Sequence, residues 1–342
     1  MSETPFIITI DTEGDDIWSK PRRITTRNAE YLPRFQSLCE RFGFKPVYLA
    51  NYEMAMSAAF VEFGRDVLAR GTGEIGMHLH AWNSPPIVPL TSDDFHYQPY
   101  LIEYAEPVMR EKIKHMTGLL EDRFGQDVIS HRAGRLGFDG RYAAILLDEG
   151  YRVDCSVSPG LDWRETPGDP RGKGGPDYRS FPDRPYFLDP SDISASAADG
   201  LLEVPMTIRS CGLYRSAPWV YRVPLLRQTA NRVVSPALNH LCPAESRLSG
   251  MLRAARGVRA AGADHAEFTL HSSELMPGGS PSFRDEADIA SLYEDLEILF
   301  DELSGWCRGM TLNEFHAWFV SRRARSHRAV SAPDHRGIAA GL

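Results

Sequence analysis

Residues 74–82, EIGMHLHAW, place two histidines two positions apart at the end of an apolar run. Successive side chains of a strand point to opposite faces, so His78 and His80 would lie on one face. Similar short apolar runs recur along the chain and alternate with helical patterns. Most of these runs are apolar at consecutive positions, which is typical of a parallel sheet covered by helices. The sequence therefore predicts an α/β fold, and its seven or eight repeating units favour a barrel.

The predicted elements follow from these patterns. Apolar residues repeat at helical spacing over 286–304, and a second helix within 139–149 has Asp139 as its N-cap and stops at Gly150. The predicted strands are short runs rich in apolar and β-branched residues: 6–11, 45–50, 74–80, 127–132, 151–157, 201–208, 266–271 and 309–312.

Four stretches lie outside this alternation of strands and helices. A Pro-rich, aromatic loop, 81–102, directly follows the two histidines. Residues 159–200 are rich in proline, glycine and aspartate and predict a polar loop insert, whereas 209–262 predict an arginine-rich insert of two helices. The tail 321–342 is basic and has no periodicity, so we expect it to be disordered. Residues 1–320 are therefore predicted to form a single domain that carries both inserts.

Composition limits the classes of function. The 342 residues carry a net charge of −8, which argues against nucleic-acid binding by the chain as a whole. No apolar run is long enough to cross a bilayer, and the start, MSETPFIITI, has neither the basic region nor the cleavage signature of a signal peptide. The five cysteines are widely spaced and form no C-x-x-C pair, which is typical of a reduced protein. We therefore expect a cytoplasmic protein without a transmembrane segment.

Acidic residues end the first predicted strand, in the sequence TIDTEG. Asp11 and Glu13 are two apart, so an extended backbone directs both carboxylates the same way. At the carboxyl edge of a barrel they would approach His78 and His80. Two imidazoles and a carboxylate are ligands that a divalent ion such as Zn²⁺ accepts, with one position left for water. We predict one metal ion on Glu13, His78 and His80, with Asp11 beside it to take a proton from water.

Each of these residues also has an ordinary structural explanation. Asp11 and Glu13 could cap a loop, and a single histidine on a strand is more often hydrogen-bonded within a core than bound to a metal. Several groups with complementary chemical roles nevertheless converge on one edge of the predicted sheet. That convergence favours the metal site.

Further candidates follow two other predicted strands. EFTLHSSEL supplies His271, and SHRAGRLGF supplies Arg132 and Arg135. An arginine near Asp11 would hold that carboxylate ionised and oriented. A surface ion pair would explain such an arginine equally well.

In their order along the chain, these motifs resemble those of the polysaccharide deacetylases with the NodB homology domain, carbohydrate esterase family 4. TIDTEG resembles the first motif, EIGMHLHAW the second, HRAGRLG the third and FTLHSSEL the fifth, and YRVDCSVSPGLDW would hold the fourth. The resemblance implies that Asp11 is the catalytic base and that Arg132 holds it. It implies that Glu13 and His78 bind the metal and that His271 is the general acid. It also implies an irregular (β/α) barrel that removes an N-acetyl or similar acyl group from an amino sugar.

The sequence departs from the family pattern at two positions. Glu13 stands where the family has a metal-binding aspartate, although glutamate can also ligate, with a longer reach. Trp82 stands four residues after His78, where a second metal histidine is usual, and tryptophan cannot bind a metal. His80 is the local substitute, so we predict that both histidines bind. Trp82 and Arg135 are assigned to substrate binding; aromatic faces pack well on sugar rings, although Trp82 could equally fill the core.

The predicted function is metal-dependent deacetylation of an amino sugar in a polysaccharide or in its carrier-linked precursor. Two alternatives are a non-catalytic glycan-binding relative and a metal hydrolase of another amide, such as a cyclic amide or a formyl group. From Arg209 to Ala260 there are nine arginines, no lysine and one acid, Glu245. This excess of positive charge forms either a solvated surface or a site for an anionic or carrier-linked glycan.

Overall fold

A computed structural model of the chain describes residues 3–217, 219–233 and 236–331. The strands of these residues are β1 (Thr4–Thr12), β2 (Pro46–Ala50), β3 (Glu74–Leu79), β4 (Ser130–Ala133), β5 (Val153–Asp154), β6 (Tyr186–Asp189), β7 (Asp192–Ser196), β8 (Leu202–Glu203), β9 (Ile208–Ser210), β10 (Leu238–His240), β11 (Ala266–His271) and β12 (Cys307–Gly309). The α-helices are α1 (Leu32–Arg41), α2 (Tyr52–Met56), α3 (Ala58–Arg70), α4 (Asp94–Tyr97), α5 (Glu106–Phe124), α6 (Gly140–Asp148), α7 (Gly212–Ser216), α8 (Trp219–Arg222), α9 (Pro224–Val233), α10 (Leu248–Ala261), α11 (Glu286–Ser304) and α12 (Leu312–Ser331). None of the described helices is both long enough and apolar enough to cross a bilayer.

Parallel strands form most of the main sheet. In the described part of the chain, seven of them lie side by side in the order β11, β1, β2, β3, β4, β5 and β8. β12 pairs in parallel with the first residues of β1, and β6 and β7 extend the far edge in antiparallel pairing. The sheet curls into a partial barrel with helices packed against it. The predicted irregular (β/α) barrel of seven or eight strands is confirmed.

Buried apolar faces explain why these elements pack together. Every residue of β2 and β3 is buried, as expected for parallel strands covered on both sides. In α11 the apolar residues that repeat at three and four positions, among them Leu292, Leu296 and Leu303, all face the core. The predicted start of α6 is also confirmed, because the Asp139 side chain accepts a hydrogen bond from the backbone N–H of Tyr142 at 2.9 Å.

The stretch 159–200 is not entirely the polar loop that its composition predicted. Its last part forms the β6–β7 hairpin, and β6 pairs with β8 at the edge of the main sheet. Tyr186, Phe187 and Leu188 of β6 are buried. This short aromatic and aliphatic run outweighs the polar composition of its surroundings, since its burial against the sheet stabilises the hairpin.

The arginine-rich stretch 209–262 also differs from the predicted pair of helices. It contains the three short helices α7, α8 and α9, then β10, which pairs antiparallel with β9, and then α10. Met251, Ala254 and Val258 of α10 are buried in the main core. α10 is therefore a helix of the barrel, and the part of the chain that leaves the barrel runs only from β9 to β10.

The predicted disorder from residue 321 onward is wrong for residues 321–331, which continue α12. Arg322 donates to Asp264 at 2.7 Å, and the Arg323 guanidinium lies over the Phe187 ring. These contacts extend the helix beyond the point at which its apolar periodicity ends. Residues 332–342 lie outside the described part of the chain.

Candidate active site

Parallel pairing brings the predicted site residues to one edge of the sheet. The register of β1 and β11 places Asp11 opposite His271. The register of β3 and β4 places His78 opposite Arg132. Glu13 follows directly after the end of β1. These side chains therefore start from the carboxyl ends of neighbouring strands, where parallel barrels build their active sites.

The three predicted metal ligands converge. One ligand atom from each of Glu13, His78 and His80 lies within 4.8 Å of the other two. His80 Nε2 donates to Glu13 Oε2 at 2.7 Å, and His78 Nε2 is 3.6 Å from the same oxygen. All three residues are buried, and the two imidazole rings meet edge to face. The two histidines that the sequence spaces two positions apart thus form a compact cluster with the Glu13 carboxylate.

The chemistry of this donor set fits a divalent ion. His78 Nδ1 lies 3.0 Å from the backbone oxygen of Arg132, and because a carbonyl only accepts, Nδ1 must carry the proton. His78 Nε2, which faces Glu13, is then free to act as a ligand. Burial lowers the pKa of His80, so its ring is neutral. Burial alone would raise the pKa of Glu13, but the neighbouring His78, the hydrogen bond from His80 and the charge of His271 hold that pKa well below its ordinary value. An ionised carboxylate and two imidazoles are ligands that Zn²⁺ accepts.

Asp11 lies beside this cluster and is oriented by Arg132. Arg132 Nη1 donates to Asp11 Oδ1 at 2.7 Å, while Asp11 Oδ2 lies 3.7 Å from His271 Nε2. Burial alone would raise the pKa of Asp11, but the guanidinium and the neighbouring histidines bring it below its ordinary value. Asp11 is thus an ionised carboxylate whose second oxygen is turned toward His271.

Arg132 is wholly buried and lies at the centre of a larger network. Besides Asp11, its guanidinium donates to Thr9 Oγ1 at 2.8 Å and to Glu267 Oε1. Thr9 Oγ1 in turn donates to Glu267 at 2.6 Å. Glu267 was not predicted to belong to the site. It is the one charged residue inside the apolar run AEFTL and shares a face with His271, and that signal could have identified it.

His271 is held opposite Asp11 by a carboxylate of its own. Its Nδ1 is 3.6 Å from Glu274 Oε1, and its backbone N–H donates to Glu274 Oε2 at 3.1 Å. The Trp18 ring meets the imidazole edge to face. Burial alone would lower the pKa of His271, but Glu274, Glu13 and Asp11 raise it to about 10. The imidazole is therefore protonated and can donate a proton from Nε2.

These groups line one wall of a cavity of about 780 Å³. Its volume is in the range of sites that enclose small molecules. The polar residues that line the cavity include Asp11, Glu13, His78, His80, Glu267 and His271. Large aromatic side chains form other parts of the lining: Trp18, Trp82, Tyr100 and Trp163. The cavity thus combines a cluster of ionisable groups with flat apolar surfaces.

Trp82 lines this cavity and also packs within the fold. It is buried, and its ring lies against that of His80 with the ring centroids 4.3 Å apart. Trp82 therefore packs directly against the cluster of Glu13, His78 and His80, whichever ligand enters the cavity. Trp18, in a short 3-10 helix (Ile17–Ser19), and Trp163, in an irregular segment, were not predicted, because neither stretch has a periodic pattern.

Arg135 also lines the cavity and is anchored by backbone groups. Its guanidinium donates to the backbone oxygens of Gln98 and Pro167, and it lies 4.2 Å from the centre of the Tyr100 ring. Arg135 therefore joins the loop after β4 to two other loops of the wall, and it is not part of the network around Asp11.

A buried lysine fixes the loop that follows His80. Lys112 Nζ, from α5, donates to the backbone oxygens of Ala81, Ser84 and Pro86 at 2.8, 2.7 and 2.8 Å. Burial lowers the pKa of Lys112 to about 8. Three carbonyl oxygens compensate the buried ammonium group, and they tie the loop to the helix behind it.

The arginines of the stretch 209–262 lie elsewhere. Among the described residues, none of them lines the cavity. Arg209 pairs with Asp183 at 2.6 Å, and Arg256 of α10 lies 3.9 Å from Glu302 of α11. In the described part of the chain, the excess of positive charge therefore lies outside the cavity wall.

Neither a family model nor a curated protein matches the chain. A search of solved structures finds a 4-alpha-glucanotransferase of Thermococcus litoralis, 12% identical with a TM-score of 0.51, where the match covers 93% of this chain and 40% of that one. It also finds a Mycobacterium smegmatis protein described as a polysaccharide deacetylase, 14% identical with a TM-score of 0.48, over 100% of this chain and 96% of that one. The Xyl-CE4 domain of a xylanase from the hindgut metagenome of Trinervitermes trinervoides is 10% identical with a TM-score of 0.45, over 93% and 92%. Two of these three structures are thus described as a polysaccharide deacetylase and a CE4 domain, at sequence identities of 14% and 10%.

Proposed function

We propose that this chain is a metal-dependent hydrolase that removes an N-acetyl or similar acyl group from an amino sugar. One observation carries the proposal: the cluster of Glu13, His78 and His80 shares a cavity wall with an ionised Asp11 and a protonated His271. A ligand set, a proton acceptor and a proton donor within a few ångströms are the groups that amide hydrolysis needs.

The first half of the reaction needs water that has lost a proton. A divalent ion held by Glu13, His78 and His80 would lower the pKa of water and polarise the acyl carbonyl. Asp11 accepts the proton, because Arg132 keeps its carboxylate ionised and directs Oδ2 into the site. The water oxygen then forms a bond to the acyl carbon.

The second half of the reaction breaks the bond between the acyl carbon and the sugar nitrogen. His271 donates the proton of Nε2 to that nitrogen, so the sugar leaves as an amine. The acyl group leaves as a carboxylic acid, acetate for an N-acetyl substrate. Glu274 keeps His271 oriented through contacts to its ring and backbone N–H, which makes Glu274 a positioning residue.

The aromatic lining supports a sugar as the substrate. Trp18 and Trp163 offer apolar faces beside the ionisable groups, and the Trp82 ring lines the same cavity next to His80; aromatic rings of this kind pack against sugar rings. Arg135 lies on the same wall and could contact an anionic substituent. We assign Trp82 and Arg135 to substrate binding on this basis.

A non-catalytic glycan-binding protein is the second candidate. Its support is Trp82, which occupies the position of a second metal histidine in the family that the motifs resemble. His80 stands 2.7 Å from Glu13 and compensates for that loss, which favours the enzyme.

Hydrolysis by the zinc-loaded chain tests the proposal. N-acetylated amino-sugar oligomers should release acetate, and formylated analogues should be assayed beside them to identify the acyl group. Asp11→Asn should keep zinc and lose turnover, because an amide cannot accept the proton, and His271→Ala should slow turnover about 10²–10⁴-fold. Asp264→Asn, at a carboxylate that pairs with Arg322 on the surface, is the matched control. If the zinc-loaded chain releases no acid from any of these amides while it still binds the sugars, the non-catalytic candidate is correct.

A further inference from the structure

A segment of the chain leaves the barrel at the rim of the cavity and returns to the same point. Ile208 of β9 pairs with His240 of β10, and both residues line the cavity. The chain between these strands contains α7, α8 and α9. The segment is therefore anchored beside the cavity, and whatever it binds is brought close to the active site.

The outer surface of this segment is apolar to an unusual degree. Trp219, Val223, Leu225 and Leu226 are exposed by 59%, 43%, 72% and 39%. Trp219, Val223 and Leu226 follow one another at four and three positions, which sets them on one side of the nearly continuous helices α8 and α9. Single exposed apolar residues are ordinary, but several together on one helical face mark an interaction surface.

The same segment is strongly basic. Residues 204–244 contain no acidic residue, although the chain as a whole carries a net charge of −8. Arg222 and Arg227 are exposed on α8 and α9, and within the described residues neither has an ion pair. Arg256 of α10 differs, since it lies near Glu302. Apolar side chains beside arginines without acidic partners are typical of a helix that lies at an anionic membrane surface.

We propose that α8 and α9 dock this protein on an anionic lipid surface, with Trp219, Val223 and Leu226 inserted and Arg222 and Arg227 at the lipid phosphates. A second copy of the chain fits the segment less well, because a symmetric contact would bring the arginines of both copies together without an acid to compensate them. Since the segment starts at the cavity rim, docking holds the cavity next to the membrane. The substrate class that follows, an amino sugar joined to a membrane lipid, rests on the proposed function; the docking itself does not.

Vesicle sedimentation tests the docking without any need for turnover. The full chain should sediment with phosphatidylcholine vesicles that contain about one third phosphatidylglycerol, and the bound fraction should fall as salt screens the charges. Leu225→Glu combined with Leu226→Glu, and separately Arg222→Glu combined with Arg227→Glu, should each weaken binding about tenfold or more. Ile298→Glu, at an apolar residue of α11 that is 52% exposed, is the control and should bind as the wild type does.

Each outcome decides the inference. Equal binding by all these variants, or no binding by the wild type, would overturn it. A third result is also decisive: the wild type is a dimer, the Leu225→Glu and Leu226→Glu double variant is a monomer, and neither protein binds vesicles. In that case a second copy of the chain, and not a membrane, covers α8 and α9. Hydrolysis of soluble N-acetylated amino sugars should be the same in the wild type and all three variants. If the wild type binds vesicles but hydrolyses none of these sugars, the proposed function alone is contradicted. If it hydrolyses them but does not bind vesicles, the docking alone is contradicted.

Discussion

Replacement of Arg132 by methionine should destabilise the protein severely. Arg132 is wholly buried and its guanidinium donates to both Asp11 and Glu267. Methionine fills a similar volume but leaves those two carboxylates buried without their cation. The loss of one partner from a buried ion pair lowers the free energy of unfolding by about 3–5 kcal/mol, a large share of the total of about 5–15 kcal/mol.

Removal of the Arg132 guanidinium should also change how the free energy of unfolding depends on pH. In the wild type the pKa of Asp11 is below its ordinary value, so its contribution to stability is present above about pH 4 and is lost as the pH falls. Burial is the largest influence on this pKa, and without the guanidinium it would raise the pKa of Asp11 above its value in the unfolded chain. In the variant, Asp11 should therefore lower the free energy of unfolding as the pH rises above about 4, whereas in the wild type it increases that free energy as the pH rises.

Urea unfolding of the metal-free proteins at about pH 5.5 and about pH 8 measures both effects. The difference between wild type and Arg132→Met should be larger at the higher pH. Arg41→Met is the control, since Arg41 forms an exposed pair with Glu297 at 2.6 Å, and its loss should lower the free energy of unfolding by about 0–1 kcal/mol. A loss as small for Arg132→Met as for Arg41→Met, or one independent of pH, would refute the reasoning.

Two further substitutions test the loops that pack next to His80, and unfolding at low pH tests the ionised state of Asp11. Lys112→Met leaves three backbone oxygens without their donor and should lower the free energy of unfolding by about 2–4 kcal/mol and weaken zinc binding, measured by urea unfolding and calorimetry. Gly134→Ala sets a methyl group against the backbone oxygen of Leu79 and 2.9 Å from His80 Nδ1, so zinc affinity should fall, measured by calorimetry; unchanged affinity would contradict the close approach of that loop to β3. The metal-free wild type should lose stability as the pH falls below about 4, because Asp11 takes up a proton there in the unfolded chain but stays ionised in the folded one, and Asp11→Asn should show a weaker loss.

The barrel and the convergence of Glu13, His78 and His80 could be predicted because both depend on short-range patterns. Consecutive apolar residues define parallel strands, and the carboxyl ends of such strands meet at one edge. Glu13, His78 and His80 follow from period-two spacing at those ends, and the fold brings them within 4.8 Å of one another. Their roles as metal ligands stay a prediction.

Other features depend on contacts that the sequence pattern does not contain. Glu267 joins the network because Arg132 of β4 donates to it across the sheet, although Glu267, in β11, lies 135 residues later in the sequence. The β6–β7 hairpin lies within a polar stretch and forms because β8 offers an edge for pairing. Trp18 reaches the cavity from a short 3-10 helix and Trp163 from an irregular segment, and tertiary packing sets the direction of both.

Zinc titration of the metal-free chain tests the central claim, that Glu13, His78 and His80 together hold one divalent ion. Calorimetry of the wild type should give one tight site, and His80→Ala should weaken it by more than about 100-fold, because the cluster then loses one of its three ligands. His240→Ala removes another histidine of the same cavity wall and should leave the affinity unchanged. Full zinc occupancy in His80→Ala, or an equal loss in both variants, would contradict the account.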